Sequence, residues 1–545
     1  MPRFSVFVLA AATVVAEEKV DLEMVHRIRT EAFDNSRVME HLFYLTDVHG
    51  PRLTNSPGFR AAANWAVDRL KGFGVDNVRQ EKWGPYGRGW SYSRYAAHLV
   101  EPGYQPIIGF PMAWSPGTNG PLTAEPILAP MRTEADFARY KGKLKGKIVL
   151  IDTPRDTPVL LRPAGQRYNP GDLSGLFSAE VPGRREVQVE VRAPGQGPAG
   201  VPKPIGPQSG PVPDPPDFER RRRTMAKRNE FLVKEGAVAM ISTGYAGDGG
   251  TVFAAAAGDR DASYAEPPPS IAITPEHYNR IVRLLEKKVP VKVQIDVQAQ
   301  YHTESLDSFN IVGEIPGRSK REEVVMLGAH FDSWHGGTGA TDNAAGSAVM
   351  IEAMRILKTL DAKMDRTVRI ALWSGEENGL LGSKAYVKEH FADPEAMKTT
   401  EQHAKIAGYF NYDNGTGKIR GVYLQGNDMA RPIFEAWLAP FKDLGADTVS
   451  IRDTTGTDHL SFNAVGLPGF QFIQDPVEYS SRTHHSNMDT YDHVEDTDLR
   501  QASAIVASFV YNAATRPEKL PRKPLPKAKP KRKPTKEDEE RETEN

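Results

Sequence analysis

The chain has 545 residues, of which 39% are hydrophobic, with a formal charge of -1 and no cysteine. That length exceeds one ordinary core and predicts two domains plus tails. The balanced charge excludes a bulk attraction to nucleic acid, and the missing cysteines exclude disulfides, thiol catalysis and lipid attachment through a thiol.

Residues 1–16 carry Arg3, an apolar run from Phe4 to Val15 and small residues ahead of Glu17 and Glu18. This is the pattern of a secretory signal peptide, too short to span a bilayer. An exported protein, periplasmic or extracellular, without stable membrane insertion after signal cleavage is therefore expected. Residues 17–101 read as the N-terminal part of an α/β domain. Helices are predicted over 36–45 and 58–71, the second with Phe59, Ala62, Ala63, Ala66, Val67 and Leu70 on one face. Gly72-Phe73-Gly74 stops it, and a strand follows over 75–82.

Residues 102–299 change texture, with Pro- and Gly-rich loops between short strands at 147–151, 237–241 and 270–273. Helices are predicted over 224–234 and 275–287, and residues 291–297 alternate as a strand does when one face is exposed. The stretch 154–216 reads as an extended, partly irregular excursion, and the four arginines from 220 to 223 as a solvated helix face. Residues 300–515 return to a compact pattern. Strands at 324–327, 367–373, 405–412, 419–424 and 469–473 are separated by helices at 343–360, 383–390, 430–438 and 496–514. Such alternation predicts an α/β fold, a mixed and mostly parallel sheet sandwiched by helices. Residues 516–545 are Lys/Pro-rich, then Glu-rich, and are expected to form a disordered charged tail.

The chemistry gathers at strand ends, where such sheets place it. A Gly-rich loop after the 324–327 strand carries His330, Asp332, His335 and Asp342, and leads into a helix with Gly346, Met350, Ala353, Leu357 and Leu360 on one face. Glu376 and Glu377 follow the 367–373 strand directly. Adjacent carboxylates repel, and a cation relieves one while leaving the other to act as a base. Asp413, in Phe410-Asn411-Tyr412-Asp413-Asn414-Gly415, ends a third strand. His484 and His485 offer late imidazoles after a fourth. Zn²⁺ accepts such nitrogen and oxygen ligands, and two ions can share a bridging carboxylate.

These segments, in this order, resemble the M28 family of zinc-dependent aminopeptidases and carboxypeptidases. The His330-Phe331-Asp332-Ser333-Trp334 loop and the Trp373-to-Glu377 segment are similar to its carboxypeptidase Q-like branch. Residues 102–299 resemble a protease-associated (PA) domain inserted into the catalytic domain. The resemblance implies two zinc ions per chain, with Asp342 between them. His330 and Asp413 complete one site, and Glu377 and His485 the other. It further implies Glu376 as general base, Asp332 holding the His330 ring, and a cis peptide after Asp342. Asp458, His459 and His335 are expected in the substrate pocket, His335 standing where the branch tends to have an acidic residue. The implied function is an exported exopeptidase acting on peptide chain ends or dipeptides through a metal-activated water. The alternatives are a glutaminyl cyclase-like acyl transfer on the same fold and a non-catalytic PA-domain binding protein. Amino- or carboxy-terminal specificity and a homodimer are both left open.

Overall fold

The computed structural model describes residues 18–161, 163–182 and 215–528. The expected signal peptide over 1–16 and the chain beyond 528 lie outside the described residues. Among those described, no helix is long and apolar enough to cross a membrane.

The fold is a mixed eight-stranded sheet covered by helices. Its strand order is Asp76–Trp83, Ser308–Ile315, Arg366–Trp373, Lys320–His330, Ile406–Asn411, Gly469–Gln474, Ile419–Tyr423 and Thr448–Ser450. The four strands from Arg366–Trp373 to Gly469–Gln474 run parallel, so the residues after Trp373, His330, Asn411 and Gln474 emerge at one end of the sheet. Parallel strands buried on both faces read as unbroken apolar runs, and Val324 to Leu327 are all buried. The helix Ala345–Thr359 is buried from Ala345 to Leu357 on every face rather than along the predicted stripe. It packs against Leu22–Asp34, Val38–Phe43, Pro57–Gly72 and Asp496–Thr515 as well as the sheet, which is why an amphipathic reading fell short.

The inserted unit holds two further sheets. A five-stranded one runs Gly109–Pro111, Ser270–Ile273, Ala239–Ser242, Ile148–Leu150 and Pro126–Leu128, and a four-stranded one is centred on Gly89–Glu101 and Lys292–His302. The latter two pair antiparallel along their length, from Lys292 opposite Glu101 to His302 opposite Gly89. Boundaries at 102 and 299 therefore cut through the unit's own sheet. Trp83 pairs with Ser308 in the large sheet, so the chain leaves and returns there.

Of the predicted excursion over 154–216, residues 183–214 lie outside the described residues, while residues 163–182 are more ordered than their composition implies. Residues 163–182 return to the large domain through the short helix Pro170–Phe177, whose Asn169 cap accepts from the amides of Gly171 and Asp172. Arg167 reaches two buried carboxylates, Asp475 at 3.1 Å and Asp498 at 2.6 Å. Residues 516–528 likewise correct the expectation of a disordered tail from 516 onward. Leu520 is buried in the main core, Arg516 Nε donates to Glu18 Oε1 at 2.9 Å, and Lys523 Nζ donates to the Gln425 carbonyl at 2.6 Å. One apolar anchor and cations that meet a carboxylate and a carbonyl hold the strap, a device that mean composition does not register. Leu520→Ala is expected to lower stability by about 2 kcal/mol, the worth of one buried leucine. A denaturant midpoint unchanged from wild type would show that the strap is idle.

Candidate metal centre

His330 ends a buried strand, Glu377 and Asp413 follow shortly after the ends of two others, and Asp342 and His485 lie on longer loops beyond strand ends. His330 is 1% exposed, and Asp342 and Asp413 are each 3% exposed. His330 Nε2 lies 3.1 Å from Asp342 Oδ1 and 3.4 Å from Asp413 Oδ1. On the other side of Asp342, His485 Nε2 lies 3.1 Å from Asp342 Oδ2 and 2.9 Å from Glu377 Oε2. Asp342 is thus flanked by two imidazoles, each with a second carboxylate. The Asp342–Asn343 peptide is cis.

The two neighbouring histidines differ in place. His484 Nε2 is 3.7 Å from Asp342 Oδ2, and its ring stacks on that of His485 at 3.7 Å between centroids. Only His485 also reaches Glu377. The His485 backbone is left-handed, with φ of 60°, a conformation that costs energy in a non-glycine residue. The inserted unit braces it there. Ala254 N donates to the His485 carbonyl at 3.3 Å, Asn487 N donates to the Val252 carbonyl at 3.3 Å, and Val252 N donates to Asn487 Oδ1 at 2.7 Å.

The His330 ring is held differently from expectation. Its Nδ1 is 3.0 Å from the Asp332 backbone carbonyl, against 3.8 Å to the Asp332 carboxylate. A carbonyl can only accept, so Nδ1 carries the hydrogen and Nε2 is left bare towards the cluster. The Asp332 carboxylate instead accepts from Thr54 Oγ1 at 2.9 Å and Glu376 N at 3.2 Å, fixing the turn that carries both glutamates.

Thr54 and Arg52 have no forewarning in the sequence. The wholly buried Arg52 donates to the carbonyls of Phe331, Leu45, Thr338 and Gly339 at 2.7–2.9 Å. It ties the N-terminal segment to the loop ahead of Asp342. Asp489 belongs here too, its Oδ1 accepting from Thr341 N at 2.6 Å and Thr341 Oγ1 at 2.8 Å.

The expected pocket residues divide. Asp458 is fully buried beside the cluster with neither carboxylate oxygen in a hydrogen bond. Burial, with the charges of Asp413 and Asp332, pushes it up to about 7. His459 is buried behind it, its Nε2 3.2 Å from the Thr454 carbonyl. His335 does not face the pocket. It is 2% exposed, its Nε2 donates to the Pro111 carbonyl at 2.7 Å, and its ring packs against Trp90 and Phe110. The aromatic residues of the inserted unit claim it as a joint between the two parts.

The donor set fits a divalent cation. Tetrahedral zinc, with bonds of about 2 Å, places ligand atoms roughly 3.3 Å apart, and the separations above bracket that value. Asp342 Oδ2 and Glu377 Oε1 are buried without a hydrogen bond. Burial together with the Asp342 charge pushes Glu377 up to about 7. Glu376 is held well above the ordinary carboxylate range by burial and the charges of Asp413, Asp458 and Glu377. So many carboxylates in a dry site cannot all ionise without positive charge between them.

Strand-end imidazoles and carboxylates on such a sheet define a metallohydrolase-type centre. Residues 310–510 match the model of peptidase family M28, and the chain is a metallopeptidase. Among curated relatives, carboxypeptidase Q of Bos taurus is 26% identical over 491 residues, 89% of this chain and 87% of that protein. Aminopeptidase YwaD of Bacillus subtilis (strain 168) is 32% identical over 222 residues, 39% of this chain and 46% of that protein. The crystal structure of a peptidase M28 precursor from Shewanella amazonensis SB2B shares the fold, with a TM-score of 0.63 at 24% identity, covering 92% of this chain and 98% of that one.

Proposed function

We propose that this protein is an exported zinc exopeptidase that hydrolyses peptide bonds at chain ends or in dipeptides, with two zinc ions per chain. The observation that carries the reading is the position of Asp342, whose two oxygens face separate imidazoles, His330 and His485. His330 and Asp413 would hold one ion, Glu377 and His485 the other, and Asp342 both. When bound, such ions supply Lewis acidity and lower the pKa of water towards neutrality.

The chain's own groups do the rest. Glu376 is buried beside Glu377, and with cations bound to offset the neighbouring carboxylates it would take a proton from water and return it to the leaving amine. Asp332 and Thr54 hold the backbone of that turn in place. Trp334 and Ser486 line the small space beside Asp342, Glu377 and His485 and restrict water there. Export is supported by the sequence pattern of residues 1–16, and a PA-type insert by the two small sheets between Trp83 and Ser308. The glutaminyl cyclase-like alternative is less well supported, because both half-sites keep their ligands.

Dialysis against a chelator is expected to abolish hydrolysis of free-amine peptides and dipeptides, and added Zn²⁺ to restore it at about two ions per chain. Comparison of free-amine, amine-blocked and dipeptide substrates would assign the end attacked. Hydrolysis that persists in fully metal-free protein would overturn the reading.

A further inference from the structure

The loop over 475–487, which carries His485, takes its backbone partners from the insert. It leaves the large sheet after Gln474, and Asp475 N still donates to the Lys418 carbonyl of the large domain at 2.9 Å. From 476 to 487, among the described residues, the backbone groups that bond outside the loop all bond to residues between Trp83 and Ser308. On one side Gln166 N donates to the Val477 carbonyl at 2.9 Å, and the two residues form an antiparallel bridge. Ser481 Oγ donates to the Ala164 carbonyl at 2.7 Å. On the other side Phe253 bridges Ser486. Ala254 N donates to the His485 carbonyl at 3.3 Å, and the Tyr245 hydroxyl to the His484 carbonyl at 3.4 Å. The Asn487 side chain accepts from Val252 N at 2.7 Å and donates to the Gly250 carbonyl at 3.1 Å. The loop thus lies between two stretches of the insert, 164–168 and 245–254.

Charge pins the first stretch at the root of the loop. Arg167 Nη1 lies 3.1 Å from Asp475 Oδ2 and 2.6 Å from Asp498 Oδ2, and Tyr168 N donates to Asp475 Oδ1 at 3.0 Å. Both aspartates are fully buried. Arg420 also reaches Asp475, at 3.3 Å, but Arg167 is the cation that joins the two. Tyr168 and Leu176 then pack on Tyr423 and Ile473. The half-site of His330 and Asp413 is built differently. The His330 carbonyl accepts from Ser347 Oγ at 2.8 Å, and the Asp413 carbonyl from Gln471 Nε2 at 2.6 Å. Those partners belong to the large domain.

We propose that the insert assembles the half-site of Glu377 and His485, with Arg167 and Asn487 as positioning residues that set the affinity of the ion held there. The inference rests on the two-ion reading above. A free loop of this length has many conformations to lose, and the left-handed backbone of His485, with φ of 60°, is one that it seldom visits. Docking between the two stretches of the insert makes that choice before metal arrives, and sets His485 Nε2 2.9 Å from Glu377 Oε2. The half-site of His330 and Asp413 needs no such support. The two ions therefore differ in their dependence on the insert.

The test is calorimetric zinc titration of metal-free, full-length protein, comparing wild type with Asn487→Ala and Arg167→Gln. Wild type should take up two ions. Each variant should bind one ion as wild type does and the other roughly tenfold more weakly or worse, the scale of one or two lost hydrogen bonds. Adding His485→Ala to Asn487→Ala should abolish the weakened ion and leave the other unchanged. Arg167→Lys keeps a cation between the two aspartates and should recover most of the loss. Leu520→Ala loosens the fold away from the loop and should leave both affinities unchanged, which separates positioning from a general loss of stability. Should Arg167→Gln not fold, Asn487→Ala carries the test alone, because its side chain is only half-buried. Equal weakening of both ions, or wild-type affinities in Asn487→Ala and Arg167→Gln, would overturn the proposal. Wild-type protein that takes up a single ion sinks the two-ion reading instead, and the proposal survives it only if Asn487→Ala weakens that ion.

Discussion

Glu376→Gln is expected to leave the zinc content of the protein near wild type while lowering peptide hydrolysis by roughly two to four powers of ten, the usual worth of general-base catalysis. Glutamine keeps the size of the side chain but cannot take a proton. Nothing in the geometry makes Glu376 a ligand, because both imidazoles of the cluster contact other carboxylates. Glu377 is the opposite case, its Oε2 2.9 Å from His485 Nε2 and its Oε1 buried without a partner. Glu377→Gln is therefore expected to weaken metal binding, since a neutral amide is a poor replacement for a carboxylate facing a dication. Metal analysis beside hydrolysis rates separates the two. Loss of zinc from Glu376→Gln but not from Glu377→Gln would mean that the roles are exchanged. Wild-type rates in both would remove the peptidase assignment.

His330, Glu377 and Asp413 were legible because each lies at or shortly after the end of a short apolar run, and parallel strands deliver their ends to one edge, whereas His485 lies farther along its loop and was named through the resemblance. His330, Glu377, Asp413 and His485 meet there in space. What holds them was not legible. Arg52 and Thr54 sit in a loop far from the cluster in sequence, and nothing local marks an arginine that will donate to carbonyls of Phe331, Thr338 and Gly339. Asp332 was assigned to the His330 ring by its carboxylate, yet the nearer acceptor is its own backbone carbonyl, which spacing does not reveal. His335 read as a pocket residue because its loop is catalytic, but the aromatic side chains that enclose it come from strands of the inserted unit. The boundary at 102 followed the change to Pro- and Gly-rich texture. The register that pairs Gly89–Glu101 with Lys292–His302 is long-range and leaves no mark in composition.

Glu352→Ala is expected to destabilise the protein by about 3–5 kcal/mol, the cost of breaking a buried ion pair by removing one partner. Glu352 is fully buried on the Ala345–Thr359 helix. Its oxygens accept from Arg355 Nε at 2.8 Å, from Arg355 Nη2 at 2.9 Å and from Arg37 N at 3.0 Å. His41 Nε2 lies 3.1 Å away, and Arg355 Nη1 goes on to Glu31 at 2.6 Å, so one network joins three helices. Burial opposes ionisation of Glu352, but His41 and Arg355 carry its pKa down to about 2 from an ordinary 4.5. Its contribution is thus fully present above about 4.5 and is lost as pH falls towards 2. His41 acts with the same sign. Burial lowers its pKa from 6.5, so the unfolded chain takes up a proton that the folded one resists as pH drops through that value. Wild-type stability should therefore fall progressively below about pH 6.5, and Glu352→Ala should flatten the part of that fall between 4.5 and 2. Because the site lies about 15 Å of helix beyond Asp342, hydrolysis per folded molecule should stay near wild type. Urea unfolding across pH measures both effects, and a loss under 1 kcal/mol at neutral pH would show that the network holds little of the fold together.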